Sequence, residues 1–147
     1  MVAGLTEKIA RRGDRIQYGF AYDGDYFTIE GEYIKQETGN GLTCATFILA
    51  VFRIVGIELL KCEEWTSRPE DEVFQLEQIR LIGQRYQLVA ERIAAHIGDP
   101  RFKPDEVAVG AASDKRPLGF DDARRLARRL ARDLDRSYGK EGATRDS

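Results

Sequence analysis

The spacing of apolar positions changes period along the chain, and each change predicts an element. Residues Met1 to Gly13 are mixed and end basic, the pattern of a short helix or arm. From Arg15 onward, Ile16, Tyr18, Phe20 and Tyr22 alternate with Gln17, Gly19 and Ala21, which is the two-residue period of a strand. Asp23-Gly24-Asp25 is a turn signal, and Tyr26 to Ile34 reads as a second strand, so Arg15 to Ile34 predicts a β-hairpin. Lys35 to Asn40 is a polar connection. After Gly39-Asn40-Gly41 the chain enters an apolar run that lasts to Gly56-Ile57, interrupted by little except Thr43, Thr46 and Arg53. Such a run predicts a buried helix, with Asn40 or Thr43 able to cap its first turn and Gly56 able to end it in the left-handed conformation.

Ile57 to Cys62 reads as a short strand or an extended crossing, and Trp65 to Pro69 as a loop. Ser67, Pro69, Glu70 and Asp71 look like a helix start. Val73, Leu76, Ile79, Ile82, Tyr86, Val89, Ile93 and Ile97 then recur every three or four positions, predicting one long amphipathic helix from Glu70 to Ile97 that Gly98-Asp99-Pro100 stops. Pro104 with Asp105 and Glu106 opens a short helix through Val107 and Val109, and Ser113 to Gly119 is a loop. A last helix runs from Phe120 or Asp121 to about Tyr138, with Ala123, Leu126, Ala127, Leu130, Ala131 and Leu134 as its stripe. Residues 139–147 have nothing to bury and are expected to form a mobile tail. The expected fold is therefore a single α+β domain over residues 1–138. In it a small antiparallel sheet containing the Arg15 to Ile34 hairpin packs around the Cys44 helix, and the Glu70 and Asp121 helices cover it.

Composition narrows the function classes. The chain has 147 residues, 42% hydrophobic and 33% charged, enough for one folded domain with a heavily charged surface. A formal net charge of −2 argues against an overall electrostatic grip on nucleic acid. Arg53 breaks the longest apolar run, so no membrane span is expected, and Leu5 to Arg15 lacks the apolar core of a signal peptide. Two cysteines, Cys44 and Cys62, fit a reducing compartment better than a disulfide scaffold, which makes the cytoplasm the expected location.

Three features carry candidate chemistry. Cys44 falls at the start of the central helix, where unpaired N–H groups and the positive end of the helix dipole favour a thiolate. A nucleophilic thiol needs a base, and His96 is the only imidazole in the chain, although it also fits a plain helix C-terminal residue. Arg124, Arg125, Arg128, Arg129, Arg132 and Arg136 share the polar side of the last helix and could grip phosphates or the carboxylates of a protein partner. Asp121, Asp122, Asp133 and Asp135 dilute that field, with Arg129–Asp133 and Arg132–Asp135 as possible compensating pairs. No metal or cofactor is expected. One histidine and two distant cysteines do not make a zinc set, Asp23, Asp25 and Glu30 suit ordinary turn chemistry, and Gly39 and Gly41 lack a phosphate-binding lysine.

The central motif, with Cys44 at a helix start, Phe47, Val51-Phe52, Gly56-Ile57 and Leu59, resembles the nucleophile helix of papain-like hydrolases. The likeness is to the NlpC-type cell-wall peptidases and their circularly permuted, lecithin retinol acyltransferase-like relatives. Gln17 to Ile29 resembles the first two strands of the permuted forms, so the resemblance spans Ile16 to Leu60. It implies a papain-like fold, Cys44 as nucleophile, and Gln17 or the Cys44 backbone N–H as oxyanion donor. Gln17 stands where the permuted family has its catalytic histidine, and glutamine cannot act as a general base. The unpermuted order would assign the base to His96. Two expectations of different class follow: a non-catalytic relative that binds a protein partner through its groove or its arginine-rich helix, and a thiol hydrolase or acyltransferase using Cys44. Nucleic-acid contact through the Arg124 to Arg136 face is a weaker third.

Overall fold

The computed structural model describes residues 2–142, with side chains as far as Tyr138. Its helices are α1 (Val2–Arg12), α2 (Cys44–Ile54), α3 (Pro69–Gly83), α4 (Gln87–Ala94), α5 (Pro104–Ala112) and α6 (Phe120–Gly142), with one 3-10 turn at Cys62–Glu64. The expected α+β architecture is overturned. Among the described residues there is no sheet, only two isolated bridges, Phe27 with Tyr33 and Leu60 with Leu118. This helical architecture also departs from the papain-like fold that the resemblance implied.

The hairpin fails for a local reason. A turn closed by Thr28 N–H to Glu32 C=O at 2.9 Å and Gly31 N–H to Thr28 C=O at 2.9 Å interrupts the second predicted strand in its middle. Gly31 has φ +84°, and Ile29 is left 78% exposed. The first predicted strand does not pair with the second at all. Gln17 C=O instead accepts the Leu42 N–H at 2.9 Å. Gly19 and Gly41 let the two backbones close so tightly that a Cβ on Gly19 would lie 2.5 Å from the Gly41 nitrogen. The aromatic residues of this stretch still enter the core: Phe20, Tyr26 and Tyr33 are buried.

α2 is the centre of the molecule. The Thr43 hydroxyl accepts the Thr46 N–H at 3.2 Å while the Thr46 hydroxyl accepts the Thr43 N–H at 2.8 Å, a reciprocal cap. Its other end closes with Gly56 at φ +75°, Gly56 N–H on Arg53 C=O and Ile57 N–H on Phe52 C=O. Ala45, Thr46, Leu49, Ala50 and Val51 are buried. Leu5 and Ile9 of α1 join Val51, whereas Leu49 joins Trp65, Phe102, Val107, Leu118 and Ala123.

The expected single helix from Glu70 to Ile97 is two. The chain breaks after Gly83, Arg85 and Tyr86 donate to Ile82 C=O, and α4 turns back so that Ala90 packs on Gly83. α4 buries Ala90 and Ile93. The first two members of the stripe predicted for α3 do not face in, whereas Ile79 and Ile82 are half-buried. Asp71 and Gln75 are buried, and Val73 and Leu76 are 68% and 49% exposed. Two anchors turn the polar side inward. The Gln75 amide donates to Asp99 C=O at 2.9 Å and accepts the Gly98 N–H at 2.8 Å, tying down the loop after α4. Asp71 accepts from the backbone and side chain of Arg68 at 3.0 and 2.8 Å.

α6 begins where expected, with the Glu64 carboxylate accepting the Phe120 N–H at 3.3 Å. It runs past Tyr138 to Gly142; the expectation of a mobile tail falls, from residue 143 on, outside the described residues.

Candidate functional site

Cys44 is the first residue of α2, and its side chain is exposed. It sits on the rim of an apolar groove of about 230 Å3 between α2 and α5, where Ala45 and Ile48 face Pro104, Val107, Ala108 and Ala111. Tyr18 shares this corner. Burial raises its phenol above the usual range, the nearby Arg101 guanidinium pulls it back, and the Cys44 sulfur pushes it up again. The Arg101 guanidinium itself lies 3.5 Å from the centre of the Phe74 ring. Tyr18 and Arg101 carried no functional signal in the sequence, because they lie far apart along the chain and only the fold brings the Arg101 charge within range of the Tyr18 phenol.

The other predicted members of a thiol site are differently placed. Gln17 runs beside the entry to α2 through its backbone, accepting Leu42 N–H at 2.9 Å. His96 lies just beyond α4, with Nδ1 2.9 Å from the Asp99 carboxylate, and no described hydrogen bond or ion pair joins it to Cys44. Cys62 is a different kind of thiol. It is half-buried, its Sγ donates to Leu60 C=O at 3.5 Å, and burial, followed by Glu63 and Glu58, pushes its pKa up to about 11.

A buried ionic node lies on the other side of α5. Arg68 is 6% exposed, and its guanidinium donates to Asp71 at 2.8 Å, to Arg101 C=O at 2.6 Å, and to the Glu106 carboxylate. Asp71 and Glu106 each occupy the third position of their helices, where each accepts the backbone N–H of the residue preceding the helix, Arg68 and Lys103. One arginine thus ties the starts of α3 and α5 together. All three of its guanidinium nitrogens are spent on structure, and the spacing of Arg68-Pro69 with Asp71 was its only trace in the sequence.

No protein-family model, curated protein or solved structure matches this chain.

The arginine face of α6 is real but uneven. At about 100° per residue, the six arginines from Arg124 to Arg136 fall on one side of the helix, opposite the Ala123 and Ala127 seam. Arg124 stacks over Phe120 at 5.1 Å, Arg125 pairs with Asp122 at 2.8 Å, and Arg132 donates to Arg128 C=O at 3.3 Å. The expected Arg129–Asp133 and Arg132–Asp135 pairs do not form among the described ion pairs, which leaves Arg128, Arg129 and Arg132 facing solvent. Four of these arginines and Asp121 line an open depression of about 590 Å3. Sequence reasoning did not foresee how far the helix outruns the body. Ala123 and Ala127 are buried and Leu126 and Leu130 half-buried, but every residue from Ala131 to Tyr138 is exposed. Leu134 and Tyr138, which continue the apolar stripe, are 46% and 70% exposed.

Within the described residues, no helix is long and apolar enough to cross a membrane, and no group of histidine, cysteine and carboxylate side chains is arranged to hold a metal ion.

Proposed function

We propose that this chain is a non-catalytic protein-binding module whose contact element is the outer half of α6. The observation that carries this reading is the stripe of Ala131, Leu134 and Tyr138, which continues past the last residue that α6 packs on the body. An amphipathic helix of 23 residues is about 35 Å long, and every residue from Ala131 to Tyr138 is exposed. Arginine is the residue type suited to paired recognition of carboxylates, and the arginines stand on the side of α6 away from this stripe, so the partner that fits is an acidic amphipathic segment that covers the stripe and reaches round to them.

A fluorescently labelled synthetic helical peptide with leucine at every third or fourth position and glutamate between tests this by anisotropy. Saturable binding that weakens with salt and is lost in the Leu134→Glu, Tyr138→Glu double variant is the expected result. Equal binding by the double variant, or none by the parent, overturns it. An oligonucleotide of matched charge that binds better than the peptide would move the assignment to nucleic acid.

Exposure of Cys44 beside an apolar groove favours a second reading, a thiol hydrolase or acyltransferase. Rapid alkylation of Cys44 by iodoacetamide at neutral pH is its expected signature, and a rate no faster than that of a free thiol would count against it.

A further inference from the structure

We propose that α3 and α4 form a flap that opens from the body as one unit, pivoting where the chain leaves at Trp65 and returns at Phe102, while α1, α2, α5 and α6 stay folded. The proposal goes beyond the reading of α6 as a contact element and does not depend on it. The two ends of the flap are pinned together. The Trp65 and Phe102 rings stack with centroids 5.2 Å apart, inside the apolar cluster that also holds Leu49, Val107 and Ala123. Three apolar clusters take side chains from α1, α2, α5 and α6, and among the described residues none from α3 or α4 belongs to any of them. α3 and α4 pack on each other instead, with Gly83 against Ala90.

The strongest ties between flap and body are polar and sit at its base. Arg68 joins Asp71 of α3 to Glu106 of α5 and to Arg101 C=O, and Lys103 meets Glu70 at 3.3 Å. The Arg101 guanidinium lies 3.5 Å from the centre of the Phe74 ring. Farther out, α4 touches the turn that leads into α2, where a Cβ on Gly39 would come within 2.9 Å of the Arg92 Cβ. Polar ties are offset by the water they give up, whereas the clusters gain with every apolar group they bury. The flap therefore opens at a lower free energy than the rest of the molecule unfolds. Opening withdraws Phe74 from Arg101, whose charge acts on the Tyr18 phenol, so the position of the flap sets the electrostatics of the Cys44 corner.

Amide hydrogen exchange of the full chain in low concentrations of urea tests the proposal. The expected result is that the amides of α3 and α4 exchange through one shared opening, about tenfold or more faster than those of α2, with a shallower dependence on urea. Leu49→Ala weakens the body in the closed and the open form alike. It should speed exchange in α2 by roughly 30-fold or more and leave α3 and α4 unchanged. Arg68→Lys keeps the charge but loses the forked bonds at the base, and those bonds are absent from both the open and the unfolded form. It should speed exchange in α2, α3 and α4 by one common factor, about tenfold. Equal protection and equal urea dependence in α2, α3 and α4 of the parent overturn the proposal, whether or not the variants fold. So does a Leu49→Ala protein in which α3 and α4 speed up as much as α2, or a parent in which the amides of α3 and α4 exchange singly with no dependence on urea.

Discussion

α2 and α3 are of similar length and both show helical spacing of apolar residues, yet they are oriented by opposite means. α2 turns Leu49, Ala50 and Val51 inward and leaves Cys44 and Arg53 outside. α3 buries Asp71 and Gln75 and leaves Val73 and Leu76 outside. Solvent exclusion places α2, whereas α3 is placed by directed bonds: Arg68 holds its first turn and Gln75 holds the loop after α4. An apolar period identifies a helix, but a buried polar anchor can decide which side of it faces in.

The contrast can be broken most forcefully at Arg68. Arg68→Ala leaves the Asp71 and Glu106 carboxylates buried without their cation and should cost about 3–5 kcal/mol in urea unfolding. Leu49→Ala, which acts on the apolar helix, should cost about 2–4 kcal/mol by the same measurement. Gln75→Ala strands the Gly98 N–H and Asp99 C=O and should cost about 1–3 kcal/mol. Val73→Ser, on the outward side, should stay within about 0.5 kcal/mol in dilute solution. If Val73→Ser costs as much as Leu49→Ala, α3 is packed by its apolar side and the contrast disappears.

Much of the helical framework was legible in the chain. Thr43 and Gly56 marked the ends of α2, Pro69 and Pro104 the starts of α3 and α5, and the loop at Ser113 to Gly119 the start of α6. The hairpin was not legible, because alternation in Ile16 to Tyr22 reports side-chain faces and says nothing about backbone partners. Gly19 and Gly41 met each other instead. The break after Gly83 was hidden because no proline marks it and the apolar spacing continues through it. For the candidate site, the exposed thiol at the start of α2 followed from local sequence alone, whereas the placing of Tyr18, Arg101 and His96 depends on packing between distant segments.

The two thiols give the mildest contrast. Cys44 should alkylate readily near pH 8 and Cys62 slowly, because burial holds the Cys62 thiol protonated until pH approaches about 11. Raising the pH should therefore narrow the difference in rates, as read by mass spectrometry of the labelled peptides.

The most direct measurement is the broadening of methyl NMR signals by a soluble paramagnetic agent in dilute protein. The methyls of Val73, Leu76 and Leu134 should be strongly broadened, with Leu49 and Val51 unaffected. Protection of Val73 and Leu76 to the degree of Leu49 and Val51 would contradict the account.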